Sequence, residues 1–496
     1  MTDEYYTSTR NNQVKISAKE AIVKGFADDK GLFVLPTLPT LEFELSDLKD
    51  LDYQGIAKRV LTLLLPDFSE TEIDESIKNT YADTFSTEAV TPLKAVDDFH
   101  VLELFHGPTS AFKDVGLQML PQLMGRSVQA QQQVMILAAT SGDTGTAALD
   151  GFKDHSQMGI TVFFPDGGVS AVQEQQMLTT NGENTNVAAI EGNFDDAQTN
   201  VKKIFNDAEL QAKLGNDTIL SSANSINIGR LIPQVVYYFS AYQQLLANGT
   251  IKLGDKVSFT VPTGNFGDIL AGYYAKQLGL PVEKLVVACN ENNVLADFFA
   301  TGIYDRNRPF FKTIAPSMDI QVSSNFERLL YYMSGQNSNY IKQLMEELEA
   351  TGKYRVSNQL RDRLLEEFAC GYSSDRDIED SIQMVYDKYH YLMDPHTASG
   401  YKVMREVQSE NPDVPMILLS TASPYKFVDA VADALFGEHK ADVQLTTAKI
   451  NDYTGVPVPA PLRAIWEKQP VTAPIIQPAS MADFVYQKVN EVFGHD

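Results

Sequence analysis

Lys113 lies in the stretch Leu104-Phe105-His106-Gly107-Pro108-Thr109-Ser110-Ala111-Phe112-Lys113-Asp114-Val115-Gly116, between an aromatic and aliphatic residues. An amine buried in such company loses hydration of its charged form. Its pKa falls, and it becomes able to attack a carbonyl. On this stretch alone a surface lysine at a helix start is the simpler reading. Other stretches carry complementary chemistry. In Thr263-Gly264-Asn265-Phe266-Gly267, followed by Asp268, the glycines let backbone N–H groups approach an anion, and a helix start adds a favourable dipole. That is a phosphate cradle, or else a tight turn; it matches neither the GxxxxGK[ST] nor the GxGxxG pattern. Ser141-Gly142-Asp143-Thr144-Gly145 offers similar donors with two hydroxyls and suits a carboxylate. Asn224, Asn227 and Arg230 set two amides and a guanidinium within one short run, and arginine grips phosphate bidentately, although on this run alone a surface arginine near a helix start is the simpler reading. Thr421 follows the apolar run Met416–Leu419, where its hydroxyl can meet a ring nitrogen or cap a helix ahead of Pro424. Asp394-Pro395-His396-Thr397 reads as a turn and helix cap, with catalysis by His396 the lesser reading. Cys289 reads as inert core.

These stretches share one setting, a strand running through a small-residue turn into a helix. Short apolar runs predict strands at 134–138, 160–164, 187–190, 257–261, 285–288 and 416–419, with a helix over 195–214. Such alternation implies mainly parallel sheets covered on both faces, with ligands bound beyond the carboxyl ends of the strands. The turns should therefore converge. Residues 1–95 read as a small, mainly helical unit, including a helix capped by Ser46. Residues 96–130 and 251–496 read as a larger domain with a helical insertion at about 297–390, and 131–250 as a smaller mobile domain.

The 496-residue chain has room for about three domain-sized units. Its formal net charge of −25 argues against a nucleic-acid or anionic-membrane surface, and requires local donors for any anionic substrate. Two cysteines form no disulfide framework and favour a reducing, cytoplasmic setting. The seven histidines show no HxH, HExxH or Cys/His cluster, so no metal site is expected. Met1-Thr2-Asp3-Glu4 opens no apolar leader, and no apolar run approaches the ~20 residues that span a bilayer.

Taken together, the motifs resemble the threonine synthase family in its longer bacterial and fungal form. The resemblance covers nearly the whole chain: Tyr6–Arg10, Gly31–Val34, His106–Asp114, Ala139–Gly145, Pro316–Arg328 and Asp394–Ala398. It implies an α/β fold of type II, like the tryptophan synthase β subunit, that uses pyridoxal 5′-phosphate (PLP). Lys113 matches the lysine that carries the cofactor as a Schiff base. Gly264, Asn265, Phe266, Gly267 and Asp268 match the cofactor-binding segment, and Thr421 the hydroxyl at the pyridine nitrogen. Ser141, Asp143 and Thr144 match the loop around the substrate. Asn224, Asn227 and Arg230 resemble the run that holds the substrate phosphate. The implied reaction turns O-phospho-L-homoserine and water into L-threonine and phosphate, with monomer and homodimer both open. Many relatives have histidine where this chain has Ser423, so no role of that histidine transfers. An amino-acid dehydratase or phospholyase of the same fold, and a non-catalytic PLP-binding sensor, are the competing readings.

Overall fold

The structure is a computed structural model and describes residues 5–41, 44–410, 412–437 and 442–494; Met1–Glu4, His439 and His495 lie outside the described residues. Two sheets dominate. The first runs Phe368–Tyr372, Val282–Cys289, Val257–Pro262, Met416–Ser420, Phe99–Glu103 and Leu93–Val96 in spatial order, parallel except for the final hairpin. The second is wholly parallel, in the order Ile475–Ile476, Thr185–Ile190, Met158–Pro165, Gln133–Ala139 and Thr218–Ser222. Strands such as Met158–Pro165 and Val257–Pro262 are buried along their whole length. That is the burial expected of parallel strands clad by helices on both faces, and it explains runs with no polar alternation. Among the described residues, no helix is long and apolar enough to cross a membrane.

Several expectations change. The N-terminal unit adds a small sheet to its helices Ala18–Lys24, Tyr53–Leu64 and Glu70–Tyr81, since Tyr6–Ser8 pairs antiparallel with both Asn11–Ile16 and Phe33–Val34. Ser46 caps nothing; it lies inside a 3-10 turn, Leu45–Asp50. The helix Tyr53–Leu64 is capped by Asp52, whose carboxylate accepts from the Gly55 N–H at 2.8 Å. The single helix expected over 195–214 is two, Phe194–Phe205 and Ala208–Leu214, because Asp207 caps the second. The insertion at 297–390 is not purely helical either, since Phe368–Tyr372 forms the edge of the first sheet.

The C-terminal segment also departs from the expected 251–496 unit. Ile475–Ile476 extends the second sheet beside Thr185–Ile190. Met481, Val485 and Val489 of the last helix, Met481–Phe493, then join Met135, Phe163 and Ile190 in one apolar cluster. Burial of that face holds the tail to the second sheet.

Candidate active site

The loop that carries Lys113 is stitched to the end of a central strand. Leu104 N–H donates to Ser420 O at 2.9 Å, Phe112 N–H to Thr421 O at 2.8 Å, and Ser423 N–H to Ser110 O at 3.0 Å. Asp114 closes the loop on itself, accepting from Thr109 N–H at 2.9 Å and Thr109 Oγ1 at 2.5 Å. Gly107 is required there, because a Cβ would lie 2.5 Å from the Asp114 Cβ. Lys113 and Thr421 thereby line one cavity of about 90 Å³.

Lys113 is buried at the start of the helix Lys113–Leu117. Its amine donates to Ser317 Oγ at 3.4 Å and lies 3.7 Å from Asp143 Oδ2. Burial pulls its pKa down to about 8; Asp143 opposes the shift, while Arg230 and Lys426 reinforce it. Asp143 is itself held. Lys426 Nζ lies 2.9 Å from its Oδ1, and Gln173 Nε2 donates to that oxygen at 2.8 Å. Burial works against the Asp143 charge, yet Lys426 and Lys113 hold its carboxyl well below the usual range. The carboxylate thus turns one oxygen to Lys426 and the other to Lys113. In Lys426→Met, Asp143 keeps only Lys113 as a cationic partner, and a repelling charge is gone. The Lys113 pKa is expected to rise by about one unit, measured as an upward shift in the pH dependence of cofactor capture.

Gly264–Asp268 forms a cradle at the start of the helix Gly267–Leu278, with Phe266 left-handed at φ +64°. First-turn N–H groups have no helical partner and face an anion naturally. The block 316–328, for which sequence gave no roles, fixes the cradle. Ser323 Oγ donates to Gly264 O at 2.7 Å, and Asn325 Nδ2 to Asn265 O at 3.0 Å and Ser225 Oγ at 3.2 Å. Buried Arg328 holds Asn325 Oδ1 and donates to Ile226 O at 2.6 Å. A Cβ on Gly264 would stand 2.7 Å from Ser317 O. Gly264→Ala therefore pushes the Ser317 loop away, and cofactor affinity is expected to fall about ten-fold, near 1.4 kcal/mol, in a titration of the apoprotein. Asp268 also lines the cavity, and its Oδ2 is buried without a partner. Its carboxyl accepts from Tyr237 OH at 2.5 Å and Tyr238 OH at 3.0 Å, and burial raises its pKa to about 7.

Arg230, Asn224, Ser141 and Thr144 line the same cavity. The Arg230 guanidinium donates to Ala223 O at 3.0 Å and to Thr144 Oγ1 at 3.5 Å, while its Nε has no partner. No carboxylate pairs with it among the described residues, and burial lowers its pKa to about 10. Asn224 Oδ1 is likewise buried and unpartnered. Asn227 is different. Its amide donates to Ile22 O and Ser222 O, both at 3.0 Å, and its oxygen caps Gly229 N–H at 2.9 Å. It lies outside the cavity lining and is spent on the backbone, so the expected substrate contact is withdrawn.

Sequence reasoning missed Lys426, Gln173 and Ser317; the cap read at Asp394-Pro395-His396-Thr397 is present, with the Asp394 carboxylate accepting from the His396 and Thr397 N–H groups. His396 lines the cavity, accepts the Ser317 N–H on Nε2 at 3.1 Å, and meets Asp394 Oδ1 through Nδ1 at 2.8 Å. A backbone N–H can only donate, so Nε2 is bare and Nδ1 carries the proton toward Asp394. His396 therefore sets the loop whose Ser317 hydroxyl meets Lys113.

A depressed-pKa amine, a glycine cradle at a helix start, a hydroxyl at a strand end and an orphaned cation fit PLP. Together with the parallel sheets they define a fold-type II PLP enzyme. A family model described as pyridoxal-phosphate dependent enzyme matches residues 86–420; models for the threonine synthase N terminus and C-terminal region match 5–81 and 397–462. The chain belongs to the threonine synthase family. It is 38% identical to threonine synthase of Saccharomyces cerevisiae over 88% of this chain and 90% of that protein. It is 40% identical to that of Pseudomonas aeruginosa over 88% and 91%. The crystal structure of PLP-bound threonine synthase from Brucella melitensis superposes with TM-score 0.86 at 37% identity, covering 98% of this chain and 99% of that one.

Proposed function

We propose that this enzyme converts O-phospho-L-homoserine and water to L-threonine and phosphate, with PLP as cofactor. The observation that carries the reading is Arg230, a buried cation without a carboxylate, in one cavity with the depressed-pKa Lys113. Lys113 would hold the cofactor, Gly264–Asp268 would receive its phosphate at their backbone donors, and the Thr421 hydroxyl would be the contact for its ring nitrogen. Bound there, PLP supplies an electron sink conjugated with the substrate's α-carbon. With its pKa near 8, Lys113 Nζ is placed to take the Cα proton and to pass protons at Cβ and Cγ. Arg230, with Asn224 and Thr144 beside it, binds the phosphate and stabilises it as it leaves Cγ. Ser141 and its neighbouring backbone receive the substrate carboxylate. Asp143 keeps the Lys113 amine in place through its shared hold with Lys426. A neutral Thr421 hydroxyl cannot fix a proton on the ring as a carboxylate would, which suits charge kept near the α-carbon.

We also propose that 131–250, together with the tail 475–493, moves as a unit, opening a cavity whose about 90 Å³ falls below the roughly 300–1,000 Å³ of ordinary ligand sites. We place the enzyme in the cytoplasm, a reading supported by two cysteines that are both free. Purified holoenzyme mixed with O-phospho-L-homoserine tests the function: threonine and phosphate should appear in equal amounts. Phosphate with 2-oxobutyrate and no threonine would instead indicate a phospholyase or dehydratase.

Lys113 must be neutral to capture the cofactor. With its pKa near 8, it is protonated below that value and free above it. The rate of PLP capture by the apoprotein is therefore expected to climb through about pH 8 and then level. A rate still climbing at the ordinary lysine value of about 10.4 would contradict the assignment.

A further inference from the structure

A larger cavity, of about 700 Å³, adjoins the site: Gln198 and Asn224 line both. Its walls come from four places: the helix Phe194–Phe205 of the second-sheet unit, the segment with Ser222, Asn224 and Ile226, the N-terminal segment with Arg10 and Lys30, and the region from Tyr304 to Tyr354. Five cations line it, Arg10, Lys30, Lys202, Lys203 and Arg306, against two carboxylates, Glu327 and Glu349. Both carboxylates are engaged. Arg10 meets Glu327 at 2.7 Å, and Lys30 meets Glu349 at 3.4 Å. Lys203 reaches a neutral acceptor, Asn200 Oδ1 at 3.5 Å, and Arg306 donates to the backbone oxygen of Glu349 at 3.4 Å. Phe26 and Phe205 pack edge to face at 5.3 Å and give the cavity an apolar wall.

In a chain of net charge −25, this is a local inversion of sign. A cleft lined by one sign of charge, with low-dielectric walls, concentrates the opposite ion and raises its arrival rate by ~10–10³-fold. The whole-chain field would otherwise repel a phosphomonoester. We propose that this cavity is the antechamber through which a phosphomonoester amino acid reaches Lys113, and that Lys203 and Arg306 draw the anion in. The proposal rests on the substrate class assigned above. It is separable from turnover, because arrival at the holoenzyme is visible as a change in cofactor absorbance whether or not threonine follows.

The test compares wild-type holoenzyme with the double variant Lys203→Glu, Arg306→Glu. The second-order rate constant of the absorbance change is measured by stopped flow with O-phospho-L-homoserine and with uncharged-side-chain L-homoserine. At about 20 mM salt the variant should be about ten-fold slower with the phosphorylated ligand and within about two-fold with L-homoserine. At about 0.5 M salt the difference should vanish, because screening shortens the reach of surface charge to a few ångströms. Lys203 also lies in the last turn of its helix, where a cation suits the dipole. A merely structural role would slow both ligands alike at every salt concentration. That result, or equal rates at low salt, overturns the proposal. The pair Lys203→Ala, Arg306→Ala should show a smaller loss of the same salt and ligand dependence, and serves if charge reversal impairs folding. Wild-type enzyme that binds the phosphorylated ligand but makes no threonine would defeat the turnover reading alone.

Discussion

Lys113→Ala is expected to lose at least about 10³-fold in threonine formation, since one side chain serves as cofactor anchor and as proton carrier. The absorbance of the lysine-bound cofactor should vanish with it. The fold should persist, because the substitution removes an amine whose burial already disfavours its charge. The loop stays in place through backbone bonds, Phe112 N–H to Thr421 O and Ser423 N–H to Ser110 O, that do not involve the lysine side chain. Persistent cofactor colour in the variant would place the anchor elsewhere. Loss of colour with an unchanged circular dichroism spectrum would match the account.

Arg230→Met should separate function from stability. The guanidinium has two backbone or hydroxyl acceptors and an orphaned Nε, and among the described residues no carboxylate offsets its burial. A buried charge without a partner is costly, so an apolar side chain of similar volume should leave stability equal or higher. Activity should move the other way. Losing a preorganised donor to the departing phosphate costs about 3 kcal/mol, roughly 10²–10³-fold in kcat/KM. Inorganic phosphate gives an independent reading: it should raise the wild-type melting temperature by mass action, and lose that effect in the variant. A variant both unstable and fully active would contradict the role given to Arg230.

Much of this site was legible because its signals are local. Glycines in 264–267 announce a turn that must approach something closely, and Lys113 sits in apolar company within a few residues. Thr421 follows the short apolar run Met416–Leu419, which reads as a strand. What stayed hidden depends on partners far along the chain. Ser317 meets Lys113 across 204 residues, and nothing near Lys426 in sequence shows that it shares Asp143 with Lys113. Asn227 entered the expected site only through the family resemblance of the run from Asn224 to Arg230. The backbone oxygens of Ile22 and Ser222 claim it instead, and only the fold brings Ile22 there. The same holds for the architecture. Apolar runs gave the central strands, whereas the tail strand Ile475–Ile476 is two residues long and acquires its place only by pairing with Ala189 and Ile190.

The most direct test of the central claim is turnover of O-phospho-L-homoserine in water enriched with oxygen-18. If phosphate departs with cleavage of the Cγ–O bond and water then adds at Cβ, threonine should carry one labelled hydroxyl oxygen and the released phosphate none. Label in the phosphate, with homoserine or unlabelled threonine as the carbon product, would show hydrolysis at phosphorus and contradict the account.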